Sequence, residues 1–390
     1  MGFGTIIASG EGNKLMREDL LNCITEVRVE QYLDKITRFA IRFEEDISVG
    51  EPRIMKADEL RCEQMITIAV KVKNTIKCLV RGPITDIKCS VQLGGPGSWY
   101  EIHGQDRRIE LDRECVPHVH TGLASKAAQE ILDNTFDKTD VEATKIMYGG
   151  KMVQGRPTLP TLNRRCTHDA FIRKIARDCN LHYWIEYGCR ENGQALEVKE
   201  KANLKSSPPR PKDGLGKSVS VDQIKLVPTV TVILRVNVDK ERCQNVTGFD
   251  LQMNAEQPNR FRHQVINDRD ATIDVVQTQD PQQTIIKGGR RLTDDCRIPR
   301  DVCITTAGNP DELQCKAESA LTAAGWLLDA TAHTTTHMLG EVLLPHDVIE
   351  VEGLGKKHSG PYQVKAVTHV INAADQFMDV QLRRNAVGEN

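Results

Sequence analysis

LPHDVIEVEGLGKKHSGPYQVKAVTHVINAADQFMDVQLRRNA, residues 344–386, reads as strand, turn, strand, turn, strand. Val348, Ile349 and Val351 carry the first strand and Gly353 and Gly355 the turn after it. Tyr362, Val364 and Val367 carry the second strand, and Met378, Val380 and Leu382 the third. Apolar residues at about every second place send one side of each strand into a core and leave the other wet. Residues 78–113 follow a similar course, with a strand, Gly-bearing turns and a final strand that ends in Arg-rich sequence. The echo suggests a repeated β domain, at low identity between the two stretches.

Working outward, Val27 and Val29 alternate with Arg28 and Glu30, and Phe39, Ile41 and Phe43 with Ala40, Arg42 and Glu44. This predicts two strands within 24–47. Ile66, Ile68, Val70 and Val72 repeat the period, and strands are expected at 79–91 and 99–111. Residues 1–115 thus read as a mostly antiparallel β domain. The texture changes at 116, where Leu123, Ala127 and Ile131, with Ala124, Ala128 and Leu132, form the stripe of an amphipathic helix. A second helix is expected at 168–179, capped by Thr167, with Phe171, Ile172, Ile175, Ala176 and Cys179 on its buried face. Strands around 183–187 and 195–198 complete an inserted α+β unit at 116–204.

KSSPPRPKDGLGKS, residues 205–218, has three prolines and two glycines and cannot sustain a helix or a central strand. It reads as a linker extending to 224, open to early proteolysis. Strand character resumes in 227–238. A third helix is expected at 310–328, with Asn309 as cap, Pro310 at its first position and a stripe of Leu313, Ala317, Leu321, Ala324 and Leu328. Residues 225–390 then form a second β domain with that helix packed on it. The predicted class is α+β, mainly β.

Length and charge agree with a multi-unit soluble chain. The 390 residues suit two or three domains at roughly 150 each. With 52 basic and 54 acidic side chains, net charge −2 argues against binding driven by charge to nucleic acid or membrane. No apolar run approaches the ~18 residues of a membrane span, and MGFGTIIASGEGNK lacks the basic start and apolar stretch of a signal peptide. Synthesis and retention in a cytoplasm are expected. Twelve cysteines without a C-x-x-C pair read as free buried thiols.

Each candidate chemical motif has a plainer structural reading. GLGKS at 214–218 would place the first glycine of a phosphate loop on Pro211, so it belongs to the linker. GGPGS at 94–98 lies between strands and reads as a β connection. His333 and His337 are four apart, but Thr334 stands where a zinc protease needs Glu, and the Thr-rich ATAHTTTH predicts exposed strand histidines. Cys166, His168, Cys179 and His182, with Cys189 beyond, could make a tetrahedral zinc site in principle. Their spacing is no known finger, and buried thiols with surface histidines are the expectation. Cys115, His118 and His120 are discounted similarly, and Glu44 and Glu45 read as a solvated face. No catalytic, cofactor or metal site is predicted.

The ending resembles that of the hub domain in the late control protein D family, which comprises baseplate hubs of contractile phage tails and the hub half of VgrG-type type VI spike proteins. Pro345, Val351, Gly353, Gly355, Ser359, Gly360, Tyr362, Val364, Val367, His369, Arg384, Asn385 and Ala386 carry the likeness. TRFAIRFEED resembles its first strands, GPITDI and IHGQDR its glycine turns through Gly82, Ile84, Gly104 and Asp106, and HDAFIRKIARDCNLHYWIEY its inserted segment. Asn180 and the run His182, Tyr183, Trp184 depart from the pattern, where Gly and fewer aromatics are usual.

The resemblance implies two barrel-like tube domains around an insertion and a non-enzymatic homotrimer in which six barrels ring a channel. Such a hub joins a hexameric tail tube to a trimeric spike within a virion baseplate or a related injection system. It also implies contacts with the tail tube protein, a separate spike protein bearing the OB-fold and needle, and other baseplate proteins. DNA would pass without specific binding, past an inner face that is neutral or acidic. The helices near 123 and 310 would pack against the barrels. A competing reading is a tail-associated cell-wall hydrolase or zinc enzyme on a hub-like scaffold.

Overall fold

A computed structural model describes residues 4–45, 54–92, 97–115, 117–148, 152–153, 156–157, 162–206, 232–238, 243–267, 272–279, 290–292, 298–302 and 310–387. The chain is mostly β with a large, chiefly antiparallel sheet. Among the described residues no helix is long and apolar enough to cross a membrane.

Alternation in the sequence becomes alternation in burial. In Arg38–Glu44, Phe39, Ile41 and Phe43 are buried and the residues between them are not. In Ile24–Tyr32, Val27 and Val29 face the same core, while Arg28 pairs with Glu30 at 2.9 Å on the wet face. Each such aliphatic or aromatic side chain contributes about 1.5–3 kcal/mol by leaving water.

Six strands form the first unit: Thr5–Ser9, Ile24–Tyr32, Arg38–Glu44, Met65–Val72, Thr75–Ser90 and Trp99–Gln105. Setting aside the two-residue ribbon Lys14–Leu15, their spatial order is first, fourth, fifth, sixth, third, second. The C-terminal strands are Ile233–Arg235, Gly248–Met253, Leu328–Thr335, Val348–Glu352, Gly360–Ile371 and Gln376–Arg384. They take the same order. One difference is that Ile233–Arg235 runs parallel to its neighbour, whereas Thr5–Ser9 runs antiparallel.

The repeat extends to a defect in the ladder. In the first unit Ile84 pairs with Gly104 and Asp86 with His103, which leaves Thr85 as a bulge. In the second, Val364 pairs with Leu382 and Ala366 with Gln381, which leaves Lys365. A shared bulge at the same place in the same strand order fixes residue-by-residue equivalence, since one slip would turn every side chain to the other face. Thr85 therefore corresponds to Lys365 and Gly82 to Tyr362.

The two units share a seam. Ile24–Tyr32 pairs antiparallel with the second half of Gly360–Ile371, from Val27 opposite Ile371 to Tyr32 opposite Ala366. The core of the first unit accordingly includes Val342 and Ile371.

The inserted unit is the hairpin His182–Asn192 with Ala195–Lys205, covered by helices Ala124–Asp133 and His168–Asp178. Thr167 caps the second helix by accepting from the Ala170 amide at 3.2 Å, as its sequence predicts. Asn180 adopts φ +54°, a conformation Asn tolerates better than most residues, which explains how it replaces a glycine.

Several expectations require correction. Helix Ala124–Asp133 packs within the core of the insertion, through Ala124, Ala128, Phe171 and Ile172, and not on a β unit. The third helix is Pro310–Ala324, and Leu328 begins a strand, because Gly325 closes the last turn through its amide to Leu321 O. It lies across helix His168–Asp178, with Ser319 Oγ bonded to Arg177 O and Lys316 3.9 Å from Asp178. The strand expected at 99–111 stops at Gln105, where Asp106 accepts from the Arg108 amide and starts a 3-10 turn. Thr5–Ser9 is a strand that the sequence pattern does not predict. The linker lies outside the described residues beyond Ser206, as do 227–231 and Asn309.

Candidate assembly surface

The residues with metal-site spacing are separated by the fold. Cys189 is buried beside Ala8, Ala69 and Leu196 and near Cys78, whose thiol faces Ile68 O and Val80 O and is held by burial well above the ordinary thiol range. Cys166 and Cys179 border the core of the insertion instead, and burial pushes the Cys179 thiol up to about 12. His120 stacks on Phe171 at 4.8 Å between centroids. Among the described residues no group of three or more His, Cys, Asp or Glu could hold one ion. All ten described cysteines are free thiols, but Cys62, Cys89, Cys115 and Cys243 are exposed, against the expectation of buried ones.

The histidines also depart from expectation. His333 is an exposed strand residue bonded to Asp379 at 2.6 Å, whereas His337 sits in the short helix Thr336–Leu339. Thr335 caps that helix by accepting from Met338 N, and Gly340 at φ +67° ends it. His182 is not a surface group. Its ring meets His346 edge-on at 5.8 Å, His346 stacks on Trp184 at 3.8 Å, and Arg383 Nη2 lies 3.4 Å from His182 Nε2. Burial and the Arg383 charge hold His182 down at about 4. This cluster ties the insertion to the C-terminal unit. Glu45 accepts from Ile54 N, GLGKS lies outside the described residues, and of GGPGS only Gly97 and Ser98 lie within them.

The glycine-turn motifs are structural. A Cβ on Gly82 would lie 1.7 Å from Gln105 O, and one on Gly104 would lie 2.1 Å from Phe39 Cζ. Asp106 accepts from Thr37 N at 3.0 Å and pairs with Arg108, both almost fully buried. Arg108 in turn donates to Tyr183 O at 2.8 Å and Lys35 O at 2.6 Å, which fastens the first unit to the insertion. Desolvation opposes the charged guanidinium, but the Asp106 carboxylate outweighs it and raises the Arg108 pKa. At the corresponding end of the second unit Arg384 is buried and donates to His358 O at 3.1 Å and Ser359 O at 2.9 Å.

Among the described residues, two open strand edges belong to the repeated units. The segment 85–90 pairs with Trp99–Gln105 on one side and, among the described residues, with nothing on the other. Cys89, Val91 and Met55 line a shallow groove there beside Trp99. Gly248–Met253 pairs with Leu328–Thr335 and, among the described residues, leaves its outer edge unpaired. Leu251 is 37% and Met253 39% exposed, high for such side chains on a strand. The sequence held the signal for this strand, because Phe249, Leu251 and Met253 alternate with Asp250 and Gln252.

No family model matches the chain, and neither does any curated protein. Solved structures do match over nearly its whole length. A tail protein from Neisseria meningitidis MC58 is 13% identical at a TM-score of 0.58, covering 98% of this chain and 97% of that one. The chain shares the fold of tail proteins. The 43 kDa tail protein of prophage MuSo2 from Shewanella oneidensis gives 10% identity and 0.57, covering 97% of this chain and 98% of that one. A chain of the Francisella PdpA-VgrG complex gives 11% and 0.52, with 99% of this chain matched to 59% of that one. The tail and VgrG neighbours accord with the resemblance read from the sequence.

Proposed function

We propose that the chain is a non-enzymatic baseplate hub of a contractile tail or related injection system, and that three copies join a hexameric tail tube to a trimeric spike around a channel. The observation that carries this reading is the internal repeat. Two units with one strand order and one bulge let three chains present six similar edges to a sixfold tube while remaining threefold towards a spike. Full-length likeness to tail proteins supports it. In this reading each unit is a tube domain, 1–115 and 225–390, with 116–204 inserted between them and the virion baseplate as the place of work. At the ends of the sixth strands the buried Asp106–Arg108 pair fastens the first unit to the insertion, and Arg384, bonded to His358 O and Ser359 O, stiffens the second. Native mass measurement with low-resolution imaging tests the reading. A three-copy ring with six lobes is expected, whereas a ring of one or six copies in the assembled particle would overturn it. A zymogram on cell-wall material is expected to show no cleared band.

A further inference from the structure

We propose that the edge of Gly248–Met253 pairs antiparallel with residues 86–91 of a second copy of this chain, as the trans counterpart of the seam between Ile24–Tyr32 and Gly360–Ile371. This rests on the hub reading and names the contact that closes its ring.

The equivalences supply the register. Within the chain, the second strand of the first unit pairs with the fifth strand of the second unit. Among the described residues, the complementary members of that pair, the second strand of the second unit and the fifth strand of the first, each have a free edge. Arg42 and His333 occupy the same place in their third strands, and so Glu26 corresponds to Gly248 and Val29 to Leu251. Val29 faces His369, which corresponds to Cys89 through the shared bulge. The predicted trans register thus sets Leu251 opposite Cys89, Met253 opposite Ile87 and Phe249 opposite Val91.

Side-chain chemistry fits this register independently. The face carrying Phe249, Leu251 and Met253 meets Val91, Cys89 and Ile87, apolar against apolar. On the other face Gln252 meets Lys88, and Asp250 lies diagonal to Lys88, within reach of its ammonium. In the cis seam the equivalents Val27 and Val29 are fully buried, and Gln31 nearly so. In a single chain Leu251 and Met253 are exposed because their covering strand is missing. An open strand edge flanked by apolar side chains is an aggregation hazard unless something pairs with it. The contact is head-to-tail, so it closes only if the rotation per copy is a whole fraction of a turn, and three copies satisfy that.

Leu251→Cys in the full-length protein, with the exposed Cys62, Cys115 and Cys243 changed to Ser, tests the pairing. Residues directly opposite across a ladder have Cα atoms about 4.5–5.5 Å apart, within disulfide range. Mild oxidation is expected to join Cys89 of one copy to the new cysteine of the next. The products on a non-reducing gel should stop at three chains, and adding Cys89→Ser should abolish them. Products that survive Cys89→Ser, or a ladder that continues past three, would overturn the proposal. A three-copy particle that gives no such cross-link would overturn the pairing and leave the hub reading standing, whereas absence of any ring in the assembled particle would remove both. As a second variant, Leu251→Lys with Met253→Lys should leave the circular dichroism of the chain unchanged and abolish association. Unchanged association would contradict the pairing.

Discussion

Residues 366–371 and 86–91 occupy the same place in two copies of one β unit, yet the first segment is largely covered and the second largely open. The first has Ile24–Tyr32 laid along one edge and the second has nothing on that edge among the described residues. The difference lies in the partner and not in the strand, since bulge, order and neighbours agree. A polar trio reinforces the cis seam: Gln31 Nε2 donates to Leu79 O at 2.6 Å, His369 Nε2 to Gln31 Oε1 at 3.1 Å, and Gln376 Nε2 to His369 Nδ1 at 3.1 Å. The open edge carries Cys89 where the cis seam has His369. The cis seam is thus built as an interior, and on the proposed pairing the open edge is a contact between copies.

Variants can break or sharpen this contrast. Gly82→Ala should have the largest effect, because its Cβ would overlap the Gln105 carbonyl, while the second unit accommodates Tyr362 at the same place. A loss of at least about 4 kcal/mol is expected, enough to prevent soluble expression. Asp106→Ala strands the buried Arg108 guanidinium and should cost about 3–4 kcal/mol in urea unfolding, with Asp106→Asn recovering part of it.

Acid should weaken the cis seam. Burial holds His369 down at about 3, against an unfolded value near 6.5. Its contribution is complete above pH 6.5 and is lost as pH falls towards the folded value, because the unfolded chain takes up the proton first. Between pH 7 and 5 this amounts to about 2 kcal/mol, which His369→Asn should remove from the pH dependence of unfolding. Asp347, raised to about 6 by burial, acts in the opposite sense, since its protonated form is favoured in the fold and its contribution is lost as pH rises. Smallest of all, Met253→Lys in the isolated chain should change stability by less than about 0.5 kcal/mol, because the side chain is already 39% exposed.

Local pattern makes much of the repeat legible in the sequence. Strands such as Arg38–Glu44 and Gln376–Arg384 alternate cleanly, and Thr167 announces a helix start. Thr5–Ser9 escapes because Ile6, Ile7 and Ala8 form a short apolar run without alternation, in a strand buried on both faces for much of its length. The helix from Pro310 is overrun because Leu328 keeps the helical spacing after Gly325 has ended the helix. Contacts such as Gln31 with His369, 338 residues apart, have no local signature. The cluster of His182, His346, Trp184 and Arg383 is unreadable for the same reason, since it draws on three distant segments.

Amide hydrogen exchange on the assembled ring, compared with the single chain, tests the cis and trans contrast most directly. Residues 366–371 should be slow in both states. Residues 86–91 and 248–253 should exchange rapidly in the single chain and become slow together on assembly. Fast exchange at both edges in a particle shown to hold three copies would contradict the account.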